Sequence, residues 1–137
     1  MPRLPRPTPN ISRERPNTQH PPLIAVIDDD ESVRESLLDL LEVFRCSAVT
    51  FTSAREFLES PRLADADCLL LDISMPEMNG VELYNELRRR KNQIPVVFMT
   101  GHAQHAVVNE AKRAGTCLFK PFASNDLRSA LEAAVHA

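Results

Sequence analysis

Acidic side chains stand at two points where an apolar run of this sequence ends. Three consecutive aspartates, residues 28–30, directly follow the apolar run 23–27, and Asp72 follows the apolar run 68–71. Carboxylates gathered in one place repel each other, and a hard divalent cation relieves that repulsion. All-oxygen ligand sets favour Mg²⁺, with Mn²⁺ as the alternative, over zinc. The acids therefore indicate a divalent cation site if the fold brings them together.

A hydroxyl and a lysine follow two further apolar runs. Thr100 comes directly after the run 94–99, and Lys120 comes between the run 117–119 and Pro121. A lysine supplies a second positive point charge, and a hydroxyl can hydrogen-bond an incoming anion. The group that fits between cation, lysine and hydroxyl is a small oxyanion such as phosphoryl. A carboxylate in their midst can itself be the nucleophile, which would give an aspartyl phosphate.

Short apolar runs alternate with amphipathic stretches from residue 23 onward. The runs predict five strands, at 23–27, 48–51, 68–73, 94–99 and 117–119. Apolar residues at helical spacing predict a helix after each strand. They are Val33, Leu37, Leu41 and Phe44; Phe57 and Leu58; Val81, Tyr84 and Leu87; the stretch 104–114; and Leu127, Leu131 and Val135. Continuously apolar strands are buried on both faces, so the pattern predicts an α/β fold with a parallel sheet covered by helices.

Hydroxyl and carboxyl side chains mark the expected helix starts. Ser53 is predicted to cap the second helix and Ser124 the last one. Asp29 or Asp30 can cap the first helix, where acids favour the positive end of the dipole. For Asp30 we expect a role as cap or as an acid outside the ligand set. The chemically interesting side chains then lie at the carboxyl ends of the strands, where open parallel sheets bind their ligands.

Length, charge and cysteine content exclude several classes of protein. A chain of 137 residues predicts one folded domain. A net charge of -3 has the wrong sign for a general nucleic-acid binder. No apolar run approaches the roughly 20 residues of a membrane span, and the first residues lack the apolar segment of a secretory signal. The unpaired spacing of Cys46, Cys68 and Cys117 predicts buried, reduced thiols in a cytoplasmic protein.

Composition changes near residue 22. Residues 1–22 hold seven of the eleven prolines, with four arginines and one glutamate. A proline-rich segment with few apolar residues cannot offset its own ordering entropy. We therefore expect residues 1–22 to form a disordered Pro/Arg-rich arm and residues 23–137 to form the folded domain. A passive extension and a basic docking arm for an acidic partner both remain open.

The set of motifs resembles the receiver domain of two-component response regulators. The resemblance covers about residues 23–135 and is carried by VIDDDESVR at 26–34, LDISMPEMNG at 71–80, MTGH at 99–102 and KPF at 120–122. It is closest to receivers whose full-length relatives carry a helix-turn-helix output domain. The resemblance implies a flavodoxin-like (βα)5 fold, a doubly wound five-stranded parallel sheet with strand order 2-1-3-4-5.

The resemblance also implies a ligand set for the metal. Asp72 would be the phospho-acceptor. Asp29 and Asp72 would bind Mg²⁺ directly, together with the backbone carbonyl of Ser74, and Asp28 would reach the ion through water. Ser74, two residues past the acceptor, would also modulate access of the attacking water.

Further roles follow from the same resemblance. Lys120 would pair with a phosphoryl oxygen, and Thr100 would close onto the phosphoryl group and act as a switch residue. Pro76 and Gly80 would shape the loop after the acceptor. The peptide bond between Lys120 and Pro121 would be cis and would direct the ammonium into the site.

Two positions depart from the family pattern. Cys117 stands three residues before Lys120, at the switch position where relatives usually carry an aromatic side chain. The stretch 115–120 is also about two residues shorter than the family leads us to expect. The acceptor chemistry therefore looks intact, whereas the surface that passes on the signal looks unusual.

The function implied is that of a single-domain response regulator in a cytoplasmic phosphorelay. A histidine kinase or a histidine phosphotransfer protein would donate the phosphoryl group. Because the chain ends shortly after the last helix, we expect no output domain, and signalling through the face formed by helix 4, strand 5 and helix 5. We expect neither direct nucleic-acid nor membrane binding, and no enzymatic activity beyond self-phosphotransfer and auto-dephosphorylation.

Two other functions are compatible with the sequence. A degenerate receiver could serve as a phosphate-independent protein-binding module, which Cys117 and the short connection motivate. A phosphohydrolase on the same fold would need a general acid close after the nucleophile. The residue two positions after Asp72 is Ser74, so the sequence argues against that enzyme.

Overall fold

The computed structural model describes residues 21–101 and 105–136. Strands and helices alternate along this part of the chain as β1 Leu23–Ile27, α1 Glu31–Val43, β2 Ser47–Phe51, α2 Ala54–Leu58, β3 Cys68–Asp72, α3 Gly80–Arg89, β4 Val96–Thr100, α4 His105–Ala114, β5 Thr116–Phe119 and α5 Ser124–Val135. A short 3-10 helix, Pro61–Asp65, precedes β3. The five predicted strands are all present, with ends shifted by at most two residues. The first twenty residues of the predicted arm lie outside the described residues.

The strands form one parallel sheet in the order β2-β1-β3-β4-β5. This confirms the predicted doubly wound α/β fold and its strand order. All residues of β3 and β4 are buried, and so are four of the five in β1, as expected for central strands covered on both faces. The edge strands β2 and β5 are more exposed. The described residues include no helix long and apolar enough to cross a membrane.

Two apolar clusters hold the helices against the sheet. On one face, Phe57 of α2 and Leu87 of α3 pack with Phe98 of β4. On the other face, Leu41 of α1 and Leu127 of α5 pack around the same central strands. These five side chains are all fully buried. The amphipathic pattern thus fixes which side of each helix meets the sheet, and so where each strand end lies.

Two of the three predicted helix caps are confirmed, and the third is wrong. Asp30 caps α1 by accepting hydrogen bonds from two backbone N–H groups, and Ser53 caps α2. The prediction for Ser124 was wrong: it is the first residue of α5, and Ala123 occupies the extended cap position without a side-chain bond. α5 is held instead by its buried apolar face, which includes Leu127.

The cysteines are free thiols, as predicted, but they are not equally buried. Cys68, at the start of β3, is fully buried, and burial raises its pKa to about 12. Cys46 and Cys117 are only half-buried, so the prediction of burial was wrong for these two. Burial raises the pKa of both of these thiols as well.

Candidate functional site

The carboxyl ends of β1 and β3 bring three aspartates together. Asp28, Asp29 and Asp72 each offer a carboxylate oxygen within 4.8 Å of the others. β1 and β3 are neighbours in the sheet, and Ile27 pairs with Leu71, so the residues that follow them come side by side. Asp28 and Asp72 are buried, whereas Asp29 is exposed. The structure therefore assembles the acidic cluster that the sequence indicated.

Asp28 is held through each of its polar atoms. Its N–H donates to the carbonyl of Phe51 at 3.2 Å, and its carbonyl accepts from Nη1 of Arg34 at 2.8 Å. Oδ1 accepts from the N–H of Asp30 at 2.9 Å, and Oδ2 accepts from Nζ of Lys120 at 2.9 Å. A buried carboxylate without such partners would be costly. The network thus fixes Asp28 in place at the floor of the cluster.

The ammonium of Lys120 lies between two of the acids. Nζ is 2.9 Å from Oδ2 of Asp28 and 3.5 Å from Oδ1 of Asp72. Burial lowers the pKa of Lys120, but the hydrogen bond to Asp28 and the two carboxylate charges outweigh burial and raise the pKa above its usual value. The backbone N–H of Lys120 donates to the carbonyl of Thr100 at 2.8 Å, and the Lys120–Pro121 bond is cis. Lys120 is therefore a fixed positive charge inside the cluster.

The surroundings of Asp72 shift the pKa of its carboxyl group. Burial and then the charge of Asp28 raise its pKa to about 6, with a smaller contribution from Asp29. The charge of Lys120 and the N–H of Ser74, at 3.4 Å from Oδ1, act in the opposite direction. The raised pKa thus reflects burial first and the neighbouring carboxylate charges second. Three carboxylates with excess negative charge are the donor set that a hard divalent cation takes, so these residues fit Mg²⁺.

Three further residues predicted for the site differ in burial and in position on the sheet. Thr100 is buried at the end of β4, directly beside the strand of Asp72. Ser74 is exposed, and its role as a carbonyl ligand stays a prediction. Cys117 is half-buried on β5, opposite Phe98, and packs against the apolar cluster on the α3 and α4 side of the sheet. The sequence prediction of a switch role for Thr100 and Cys117 also remains untested.

The loop after Asp72 approaches the sheet closely at Gly80. A Cβ on this residue would lie 2.6 Å from the carbonyl oxygen of Asp72 and 2.9 Å from Cα of Ile73. The N–H of Gly80 donates to the carbonyl of Ile73 at 3.0 Å. Any other side chain would therefore displace the backbone that carries Asp72. Pro76 and Pro121 are exposed in the loops that flank the cluster.

Residues 24–132 match the family model described as "Response regulator receiver domain". The chain belongs to this family. Receiver domains are signalling modules of two-component systems that bind Mg²⁺ at an acidic cluster and interact with histidine kinases and downstream targets. In this receiver domain the acidic cluster is the set Asp28, Asp29 and Asp72 at the carboxyl edge of the sheet.

Curated relatives of this receiver domain are response regulators about twice as long. The response regulator protein TodT of Pseudomonas putida is 36% identical over 115 residues, which are 82% of this chain and 51% of TodT. The transcriptional regulatory protein FixJ of Azorhizobium caulinodans is 38% identical over 114 residues, which are 82% of this chain and 54% of FixJ. The chain thus spans about half the length of the curated relatives it matches.

Solved structures agree with the fold of this receiver domain. The crystal structure of FixJ-N is 32% identical with a TM-score of 0.75, and the match covers 85% of this chain and 95% of that one. The structure of the response regulator StyR is 39% identical with a TM-score of 0.76, covering 84% of this chain and 59% of StyR.

Sequence reasoning missed the part played by Arg34. The residue lies in the first amphipathic helix and reaches back six positions to the carbonyl of Asp28. Helical spacing shows that it stands among apolar positions but says nothing about where its guanidinium ends. His105 is exposed at the start of α4, and His102 lies outside the described residues.

Proposed function

We propose that this receiver domain accepts a phosphoryl group on Asp72 from a histidine kinase or a histidine phosphotransfer protein. A carboxylate oxygen of Asp72 attacks phosphorus, the bond between phosphorus and the donor imidazole breaks, and that imidazole leaves with the electron pair. The observation that carries the proposal is the convergence of three carboxylates and one ammonium at Asp72.

Asp29 and Asp72 would hold Mg²⁺ directly, with the carbonyl of Ser74, and Asp28 would do so through water. When bound, the ion supplies positive charge that offsets both the cluster and the incoming phosphoryl oxygens. Mn²⁺ suits the same oxygen ligands. Burial and the charge of Asp28 raise the pKa of Asp72 to about 6, and a cation at this carboxylate would counter both effects.

Lys120 and Thr100 would bind the phosphoryl group from the other side. The ammonium of Lys120 already lies 3.5 Å from Oδ1 of Asp72, so it can pair with an oxygen transferred to that carboxylate. Thr100 ends the strand next to Asp72 and would donate its hydroxyl to the same group. Movement of Thr100 would alter the packing around Cys117 and pass the signal to the surface of α4, β5 and α5. Hydrolysis of the aspartyl phosphate resets the protein.

The domain would signal by contact with a downstream protein in the cytoplasm. Its chemistry would be limited to transfer of the phosphoryl group to its own Asp72 and loss from it. Residues 1–22 would form an arm outside this domain, and residues 23–137 the domain itself.

Incubation with acetyl phosphate and Mg²⁺ tests the proposal by intact mass. The wild-type chain should gain one phosphoryl group, and Asp72→Asn should gain none. Asp39→Asn is the matched control, because Asp39 is an exposed carboxylate on α1, and it should behave like the wild type. Phosphorylation of the Asp72→Asn chain would refute the assignment. A wild-type chain that gains no phosphate would point to the phosphate-independent binding module.

A further inference from the structure

Arg34 makes an unusual contact for an arginine beside an acidic cluster. Its Nη1 donates to the backbone carbonyl of Asp28 at 2.8 Å, and the side chain is partly buried. Among the described residues Arg34 forms no ion pair with a carboxylate. The guanidinium therefore holds the backbone of the loop between β1 and α1 rather than neutralising a particular acid.

That loop is fixed by a chain of short-range hydrogen bonds. Oδ1 of Asp28 accepts from the N–H of Asp30, and Oδ1 of Asp30 accepts from the N–H groups of Ser32 and Val33. Asp29 lies between these two turns, and its own side chain is exposed. The backbone position of Asp29 is therefore held by the bonded residues on either side of it.

We propose that Arg34 is a positioning residue for the cation site. By holding the carbonyl of Asp28, it fixes the loop 28–30 so that Asp28 and Asp29 stay at ligand spacing from Asp72. This inference rests on the proposed function, since the ligand concerned is the Mg²⁺ of the acceptor site.

Position and charge predict opposite effects of removing Arg34. A positive charge near a cation site repels the cation, so loss of that charge alone should strengthen Mg²⁺ binding. Loss of positioning should weaken binding, and outer partners of metal ligands typically contribute at least tenfold to affinity. We therefore expect Arg34→Met to raise the Mg²⁺ dissociation constant roughly tenfold.

Titration of the full chain with Mg²⁺, followed by amide chemical shifts, measures this effect. Arg34→Lys keeps the charge with a shorter side chain that lacks the guanidinium, and we expect it to weaken binding severalfold. Arg55→Met removes an exposed arginine of α2 and should leave affinity unchanged. Melting temperatures without Mg²⁺ identify any variant that is unfolded, and Arg34→Lys carries the test if Arg34→Met does not fold.

The possible outcomes separate this inference from the proposed function. Weaker binding in both Arg34 variants, with the control unchanged, supports positioning. Unchanged or tighter binding in Arg34→Met overturns it, as does a lower melting temperature with no change in Mg²⁺ affinity, since that would show a purely structural role. Absence of Mg²⁺ binding in the wild type would overturn both the inference and the acceptor site.

Discussion

The two sides of the acidic cluster differ in how closely the surrounding atoms pack. On the β1 and β3 side, Asp28 has a partner for each polar atom, and the backbone at Gly80 lies against the carbonyl of Asp72. On the β4 and β5 side, a Cβ on Gly101 would meet nothing closer than 3.8 Å, and Phe119 is 51% exposed. The side that carries the acids is thus rigidly specified, whereas the side that faces α4 and α5 leaves room for substitution.

Alanine at the two glycines gives the largest contrast between these sides. Gly80→Ala should destabilise the fold by roughly 4 kcal/mol, because its Cβ would overlap the carbonyl oxygen of Asp72, 2.6 Å away. Gly101→Ala has space and no positive φ to oppose it, so the change should stay within about 0.5 kcal/mol. Urea denaturation of both variants measures the difference. Equal losses would show that the two sides do not differ in this way.

Most of the fold could be predicted from the sequence because the apolar runs that mark buried strands end at the residues that form the site. The β1 and β3 runs are continuously apolar and end in aspartates, so strand, burial and site position all follow from one pattern. The start of α5 could not be predicted in this way. Ser124 is a good cap by type, but it is the first residue of the helix, and Ala123 occupies the cap position. α5 starts without a side-chain cap and buries Leu127, which the preference of serine for cap positions does not reveal.

The candidate site shows the same limit. Spacing along the chain was enough to place Asp28, Asp29 and Asp72 at one edge. It could not show that Lys120 pairs more closely with Asp28 than with Asp72, since that depends on side-chain conformation. Nor could it show the contact of Arg34, which depends on the geometry of a single loop.

The pH dependence of stability tests the acidic side directly. With EDTA present, the pKa of Asp72 is raised from 3.8 to about 6 by burial, Asp28 and Asp29, so its protonated form is favoured in the folded state. Stability from this group is fully present below about pH 4 and is lost as pH rises through about 6. The loss should be roughly 2–3 kcal/mol, measured by urea denaturation across this range.

Asp72→Asn is the control for that measurement. It removes the titrating group, so the metal-free variant should be more stable than the wild type at pH 7 and should lose less stability between pH 4 and 7. Lys120 remains protonated throughout this range, because its pKa is raised. A wild-type chain whose stability rises with pH in this window would contradict the charge balance described for the cluster.

Mg²⁺ should restore part of the stability that the folded domain loses at neutral pH, where the clustered carboxylates are ionised. At ten times its dissociation constant, an ion that binds only the folded state adds about 1.4 kcal/mol by mass action. The melting temperature should therefore rise with Mg²⁺ concentration. Asp29→Asn should reduce the rise, whereas Asp39→Asn should not. An unchanged melting temperature at millimolar Mg²⁺ would argue against a cation site at Asp28, Asp29 and Asp72.

The cation–π contact of Phe119, on the β4 and β5 side of the cluster, should make only a small contribution to stability. Its ring is half-exposed and is covered by Nζ of Lys112 at 5.2 Å from the centroid. An exposed cation–π contact contributes about 0.5–1 kcal/mol. Loss of the half-buried ring surface adds to it, so Phe119→Ala should destabilise the fold by roughly 1–2 kcal/mol. A double-mutant cycle with Lys112→Met isolates the cation–π contribution from the loss of the ring. Among the described residues Lys112 forms no ion pair with the three aspartates. The rate of phosphorylation by acetyl phosphate should therefore stay the same, and a reduced rate would show that β5 takes part in the chemistry.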